Sequence, residues 1–97
     1  MQMRHDERDL EQRCVLEARR RGFLAWKNEK NGNKGIPDHS FLTPNGRAFF
    51  MVEFKKDDKQ QLRPEQKLWL ERVQCAHLCF DFQDFTKLLD LYFFQSQ

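Results

Sequence analysis

The sequence lacks any long apolar run, and its few cysteines are odd in number. No stretch approaches the roughly 18 apolar residues that indicate a membrane-spanning helix, so no membrane partner is expected. Three cysteines, without an apolar signal-peptide core at the amino end, favour a reducing compartment over secretion. The sequence therefore predicts a cytoplasmic protein without disulfide bonds.

Glycine, proline and net charge are low as well. With 4 Gly, 3 Pro and no repeat or low-complexity linker, residues 1–97 are predicted to form one domain. A net charge of +2 is too small for a protein that coats DNA passively. Basic residues are clustered all the same, in an arginine-rich segment at residues 4–21 and a second group at residues 55–67. Either a solvated helix face or a phosphate-binding track explains the arginine-rich segment.

Periodicity and turn signals divide the chain into helix, three strands, helix, strand and helix. The expected helices and strands lie at about 6–21, 23–27, 39–42, 47–55, 64–76, 78–82 and 84–93. Asp84 is the expected N-cap of the last helix. The turn at residues 43–46 makes the second and third strands an antiparallel hairpin. A mixed four-stranded sheet flanked by helices, of the α/β (α+β) class, is the economical fold.

Two segments raise questions that the sequence leaves open. The polar loop at residues 28–34, with three asparagines and Gly32, is expected near the substrate. The last helix is more aromatic than one small core needs, and either core packing or a second subunit covers its apolar stripe. The residues concerned are Phe85, Leu89, Tyr92, Phe93 and Phe94.

The third predicted strand places a carboxylate and an amine on one face of an apolar run. Residues alternate sides along a strand, so Glu53 and Lys55 point the same way. An unpaired carboxylate in a buried strand is costly, and either a metal ion or Lys55 is expected to compensate Glu53. Asp38, at the edge of the preceding strand, is a second carboxylate. A cation between the two would remove their repulsion, and Mg²⁺ prefers a few carboxylate oxygens with waters and phosphate.

Three further groups are candidates for this site. The backbone carbonyl of Phe54 is a possible extra ligand for the metal. Lys55 would orient or deprotonate the attacking water, or stabilise charge on a five-coordinate phosphorus. Helical projection turns Glu11 inward, with Glu17 nearer the edge; taken alone, Glu11 is better explained by an ion pair with Arg or Lys, and it gains weight beside Asp38 and Glu53. Gln66 faces the sheet, where a hydrogen bond to sheet backbone is the alternative to a catalytic contribution.

These residues resemble a known pattern. Pro37-Asp38 followed by Glu53-Phe54-Lys55 is similar to the PD-(D/E)xK nuclease superfamily. The segments 35–38, 52–55 and 62–66, followed by Trp69-Leu70, have the order and spacing of its VRR-NUC family, and the resemblance covers about residues 10–82. Arg63, where the family often has a helix-capping residue, and Phe54, where smaller aliphatics are common, depart from the pattern.

The resemblance implies a restriction-endonuclease-like core and a set of roles. It implies metal binding by Asp38 and Glu53, catalysis by Lys55 with Gln66, and a first-helix glutamate at Glu11 that binds the metal directly or through water. It further implies a Mg²⁺- or Mn²⁺-dependent endodeoxyribonuclease that acts as a homodimer on branched DNA such as Holliday junctions, inside a bacterial or phage-infected cell. The residues expected to contact DNA are Lys34, Lys56, Lys59 and Arg63. A catalytically inactive nucleic-acid-binding module is the alternative.

Overall fold

A computed structural model describes residues 2–57, 59 and 61–97, with only the backbone for residues 2–7. Three helices and four strands follow one another in the predicted order, which confirms the fold class. Their bounds are α1 (Gln2–Arg20), β1 (Leu24–Lys27), β2 (His39–Leu42), β3 (Phe49–Phe54), α2 (Pro64–Arg72), β4 (Ala76–Cys79) and α3 (Phe82–Gln95).

The four strands form one mixed sheet in the order β1-β2-β3-β4. β1 and β3 each pair antiparallel with β2, whereas β4 pairs parallel with β3. The hairpin between β2 and β3 turns at the predicted residues, where the Gly46 N–H donates to the Thr43 carbonyl at 2.9 Å and Gly46 has a φ of 74°. A parallel pair needs a crossover, and α2 supplies it. The mixed character of the sheet thus follows from one hairpin and one helical crossover.

One face of the sheet carries the hydrophobic core, covered by α1 and α3. Alternation along β3 directs Phe50, Val52 and Phe54 to this face, and each is at most 2% exposed. The Phe50 ring stacks on Phe41 at a centroid distance of 5.1 Å and on Tyr92 at 4.4 Å. Large aromatic side chains therefore build the core of this small domain, and the opposite face of the sheet is left for other groups.

Several element boundaries differ from the sequence-based expectations: β4 spans Ala76–Cys79 rather than residues 78–82, and most other ends shift by one to four residues. α2 ends at Arg72 rather than near residue 76, because Ala76 already pairs with Met51 as the first residue of β4. The N-cap of α3 is Asp81, not Asp84: the Asp81 carboxylate accepts a hydrogen bond from the Asp84 N–H at 2.8 Å. Both aspartates suit a cap, and only packing of the helix on the core selects between them.

The aromatic stripe of α3 divides between core and surface. Phe85 and Leu89 are fully buried among core residues, and Tyr92 is half-buried against Phe50. Phe93 and Phe94 are 46% and 78% exposed. Core packing therefore accounts for the first part of the stripe, whereas Phe93 is half exposed and Phe94 is largely exposed.

All three cysteines are free thiols, and two of them are buried. Burial raises the pKa of both Cys14 and Cys79 to about 12, so these two side chains behave as small apolar groups rather than nucleophiles. None of the helices found in residues 2–57, 59 and 61–97 is both long enough and apolar enough to cross a bilayer.

Candidate active site

The pairing of β2 with β3 brings the two predicted carboxylates together. His39 pairs with Val52, and extending this register by one residue sets Asp38 opposite Glu53. The Asp38 side chain is held in place because its Oδ2 accepts a hydrogen bond from the Phe54 N–H at 3.0 Å. Asp38 and Glu53 therefore meet at the open end of the hairpin, opposite its turn, on the side of the sheet away from the core.

The backbone on the amino side of Asp38 is fixed by one asparagine. The Asn28 N–H donates to the Asp38 carbonyl at 2.8 Å, and the Asn28 side-chain amide donates to the Pro37 carbonyl at 2.9 Å. The Ser40 hydroxyl in turn donates to the Asn28 side-chain oxygen at 2.7 Å. Asn28 thus joins the start of the 28–38 loop to its end, and Asp38 projects from an anchored backbone.

Glu53 is a buried carboxylate with one satisfied and one unsatisfied oxygen. Its Oε2 accepts a hydrogen bond from Gln66 Nε2 at 3.0 Å and lies 3.8 Å from Lys55 Nζ. Its Oε1 has no hydrogen-bond partner within the described part of the chain. Burial and the neighbouring Asp38 charge raise the pKa of Glu53 to about 7, against the opposing effect of nearby basic groups. Oε1 is therefore a buried acceptor beside a second negative charge.

A lysine that the sequence did not single out lies between the two carboxylates. Lys30 Nζ is 3.4 Å from Asp38 Oδ1 and 3.9 Å from Glu53 Oε1. The position between Asp38 and Glu53 is therefore one where the protein already places a positive charge.

The donor set fits a divalent ion that takes part of its coordination from substrate. Among residues 2–57, 59 and 61–97, no group of three or more His, Cys, Asp and Glu side chains is arranged to hold a metal. Two carboxylates are instead adjacent, and one oxygen of Glu53 is buried without a partner. Mg²⁺ is commonly bound through one or two carboxylates, with waters and substrate phosphates completing its octahedron. Asp38 and Glu53 match that requirement.

Gln66 connects Glu53 to the beginning of α2. Its Oε1 accepts a hydrogen bond from the Arg63 N–H at 2.8 Å, while its Nε2 donates to Glu53. The reciprocal bond of a capping box cannot form, because the Arg63 guanidinium carries only hydrogen-bond donors and cannot accept a bond from the helix backbone. The partner of Gln66 on the sheet is thus a carboxylate, not the backbone considered from the sequence.

The loop before Asp38 packs directly on the first turn of α2. A Cβ added to Gly35 would lie 2.2 Å from the Glu65 carbonyl oxygen and 2.4 Å from its carbonyl carbon. The Arg63 guanidinium also donates to the Lys34 carbonyl at 3.3 Å. Gly35 therefore permits the close approach that sets Gln66 within reach of Glu53.

Glu11 lies in a neighbouring cluster. Its Oε2 is 3.1 Å from Lys27 Nζ and 3.1 Å from His39 Nδ1, and none of the ion pairs or hydrogen bonds found among the described residues joins it to Asp38 or Glu53. Glu17 pairs instead with arginines 20 and 21. Glu11 is therefore the first-helix carboxylate nearer the site, because His39 directly follows Asp38.

The four predicted DNA contacts differ in exposure. Lys34, Lys59 and Arg63 are exposed, and Lys56 is half-buried. The bond from Arg63 to the Lys34 carbonyl joins two of them where the 28–38 loop meets the start of α2. Of the four, Arg63 is close enough for its charge to lower the pKa of Glu53 against the larger effect of burial.

Comparison with known proteins decides the family. A sequence model of the VRR-NUC domain matches residues 2–81. The chain belongs to the VRR-NUC family. A solved structure described as a VRR-NUC domain is similar to it with a TM-score of 0.77 and 25% identity, covering 90% of this chain and 97% of that one. A protein named "Putative nuclease p44", from Acyrthosiphon pisum secondary endosymbiont phage 1, is 34% identical in an 87-residue alignment that covers 86% of this chain and 90% of the phage protein.

Family membership confirms the predicted resemblance and makes the chain a nuclease-family domain. Two features of this VRR-NUC site were missed by sequence reasoning, namely the Lys30 ammonium and the contact of Gly35 with α2. The polarity of the 28–34 loop signalled its proximity to the site, but no local pattern indicates which of its side chains turns inward.

Glu53 gives this VRR-NUC domain a pH-dependent stability. Its pKa in the folded state is about 7, above the ordinary 4.5. As the pH rises from 4.5 to 7, the unfolded chain loses this proton before the folded chain does, and the folded state is progressively destabilised. Glu53→Gln keeps an acceptor for Gln66 without the charge. In chelator, we expect the variant to exceed wild type in unfolding free energy by about 1–3 kcal/mol at about pH 8. This difference in unfolding free energy should be largely absent near pH 4.5.

Urea unfolding at the two pH values measures this effect, with Glu71→Gln on the exposed part of α2 as the control. An equal difference at both pH values would show that the Glu53 charge is not what destabilises the metal-free fold.

Proposed function

We propose that this protein is a Mg²⁺- or Mn²⁺-dependent DNA endonuclease that hydrolyses phosphodiester bonds. The observation that carries the proposal is the arrangement of Asp38 and Glu53 around one cation position, with Lys55 and Gln66 on Glu53. Membership of a nuclease family supports the same chemistry. A domain that only binds nucleic acid gains nothing from two carboxylates placed beside phosphates.

Asp38, Glu53 and the Phe54 carbonyl would hold the ion. The Phe54 N–H points toward Asp38, whereas the next N–H along the strand, that of Lys55, points to β4 and bonds the Cys79 carbonyl at 3.0 Å. In an extended strand the N–H and C=O of one residue face the same neighbour, so the Phe54 carbonyl also faces the side of Asp38. The bound ion would supply positive charge for the phosphate oxygens and a lowered pKa for water.

Lys55 and Gln66 both lie next to Oε2 of Glu53. Lys55 Nζ lies 3.8 Å from Glu53 Oε2, on the same face of the sheet. There it would orient the attacking water and offset the charge that develops on phosphorus. Gln66 fixes the Glu53 carboxylate by donating to Oε2. Glu11 would contribute through water, because its Oε2 already contacts Lys27 and His39.

Four basic residues are proposed to bind the DNA backbone. Lys34, Lys56, Lys59 and Arg63 are the candidate phosphate contacts. Lysine and arginine contacts to phosphates release condensed counterions, so affinity should fall steeply with salt.

We further propose that the protein cuts branched DNA as a homodimer. Two strands of a four-way junction require two sites, and a two-fold dimer supplies them. Exposed apolar groups support a second subunit: Trp26 is 42% exposed and its ring lies 6.1 Å from that of Phe49, while Phe94 is 78% exposed on α3. A strict monomer in light scattering would remove paired incision from the proposal.

A substrate panel tests the function. Labelled linear duplex, flap and four-way junction DNA are incubated with the purified protein in Mg²⁺, Mn²⁺ or chelator. We expect cleavage only with a divalent ion, and greater cleavage of the branched substrates. Binding without cleavage in every metal would instead favour the inactive binding module, and cleavage in chelator would exclude the metal mechanism.

A further inference from the structure

The Lys30 ammonium lies where the proposed metal ion would bind. Its ammonium is near one oxygen of each carboxylate, and the Glu53 oxygen that it faces is the one without a hydrogen bond. The distances of 3.4 and 3.9 Å exceed the usual length of an N–H···O hydrogen bond. The attraction is therefore mainly electrostatic, and it leaves both carboxylates free to bind a better-fitting cation.

The loop that carries Lys30 is anchored at both ends and open in between. Asn28 fixes its start to the Pro37-Asp38 backbone, and Gly35 packs on α2 near its end. Between these anchors, the Lys30 carbonyl accepts a hydrogen bond from the Asn33 N–H at 3.0 Å, and residues 31–34 are exposed. The Lys30 side chain is 35% exposed. Its ammonium can therefore leave the carboxylates for solvent without disturbing either anchor.

We propose that Lys30 is the resident counter-ion of the metal-free site and must be displaced when a divalent ion binds. The inference rests on the proposed metal-dependent function. Two carboxylates at close range repel, and the Lys30 charge offsets that repulsion so that the pair stays assembled without metal. A divalent ion at the same position would repel the ammonium, so the two cations bind the pair in competition. Lys55 faces the other oxygen of Glu53 and can remain.

Mn²⁺ binding by the purified protein tests this competition. Isothermal titration at low ionic strength compares wild type with Lys30→Met and with Lys30→Gln, a second variant should the first fold poorly. We expect the uncharged variants to bind Mn²⁺ at least about fivefold more tightly, because no ammonium has to leave. Lys30→Arg, which keeps the charge, should bind no more tightly than wild type. Lys87→Met on the exposed side of α3 removes the same charge elsewhere and should match wild type.

Hydrogen exchange in chelator gives a second measure that does not depend on metal affinity. The Phe54 amide, which donates to Asp38, should exchange faster in Lys30→Met than in wild type, because the carboxylate pair has lost its counter-ion. Unchanged or weaker Mn²⁺ binding by the uncharged variants would overturn the counter-ion role while leaving the metal site itself in place. Absence of Mn²⁺ binding by wild type would overturn the proposed function, and this inference with it.

Discussion

Asp38→Asn should reduce metal-dependent DNA cleavage by about a thousandfold, equivalent to about 4 kcal/mol of transition-state stabilisation. The change removes one of the two negative charges that face the cation position. The fold should persist, because the asparagine oxygen can still accept the hydrogen bond from the Phe54 N–H. Glu53→Gln should cause a loss of cleavage of similar size. Its fold should persist too, since the new amide oxygen can still accept the hydrogen bond from Gln66.

Cleavage rates and Mn²⁺ titrations together separate this loss from a loss of structure. The carboxylate variants should lose both cleavage and metal binding, whereas Lys55→Met should lose cleavage and keep Mn²⁺ binding. Glu71→Gln, exposed on α2, is the charge-matched control and should cleave like wild type. Cleavage by Asp38→Asn at the wild-type rate would remove Asp38 from the site.

Gly35→Ala should destabilise the protein by about 3 kcal/mol or more and also impair the site. The added methyl carbon would lie 2.2 Å from the Glu65 carbonyl oxygen, so either the loop or the first turn of α2 has to move. Backbone atoms of Glu65 rather than the far end of a flexible side chain are the obstacle. Displacing α2 would also draw Gln66 away from Glu53.

Gly32→Ala is the matched comparison in the same loop. Nothing lies within 4 Å of its added carbon, and its only penalty is a φ of 77°, which should cost about 1 kcal/mol. Urea unfolding of both variants, with cleavage measured on the folded protein, checks the contrast. Equal stabilities for the two variants would show that the contact between Gly35 and α2 is not tight in solution.

The parts of this fold that the sequence predicted are those set by local periodicity. Alternation along β3 was sufficient to place Glu53 and Lys55 on one face, and a turn sequence was sufficient to place the hairpin. The end of α2 and the cap of α3 were wrong because they depend on where β4 meets β3 and where α3 meets the core, which are long-range contacts.

The same distinction between local patterns and long-range contacts applies to the candidate site. Pairing of β2 with β3 makes the meeting of Asp38 and Glu53 a consequence of a predictable hairpin. Lys30 lies in a loop without regular periodicity, so only the folded chain reveals that its ammonium turns toward the carboxylates. For Glu11, the pattern indicated an inward direction but not its partners, which come from β1 and β2.

The most direct test of the central claim, that Asp38 and Glu53 share one divalent ion, is anomalous diffraction from crystals grown with Mn²⁺. We expect one strong peak about 2 Å from an oxygen of each carboxylate, with the Lys30 ammonium displaced from between them. A peak on one carboxylate alone, or a peak beside Glu11 and His39 with none at Asp38, would contradict that claim.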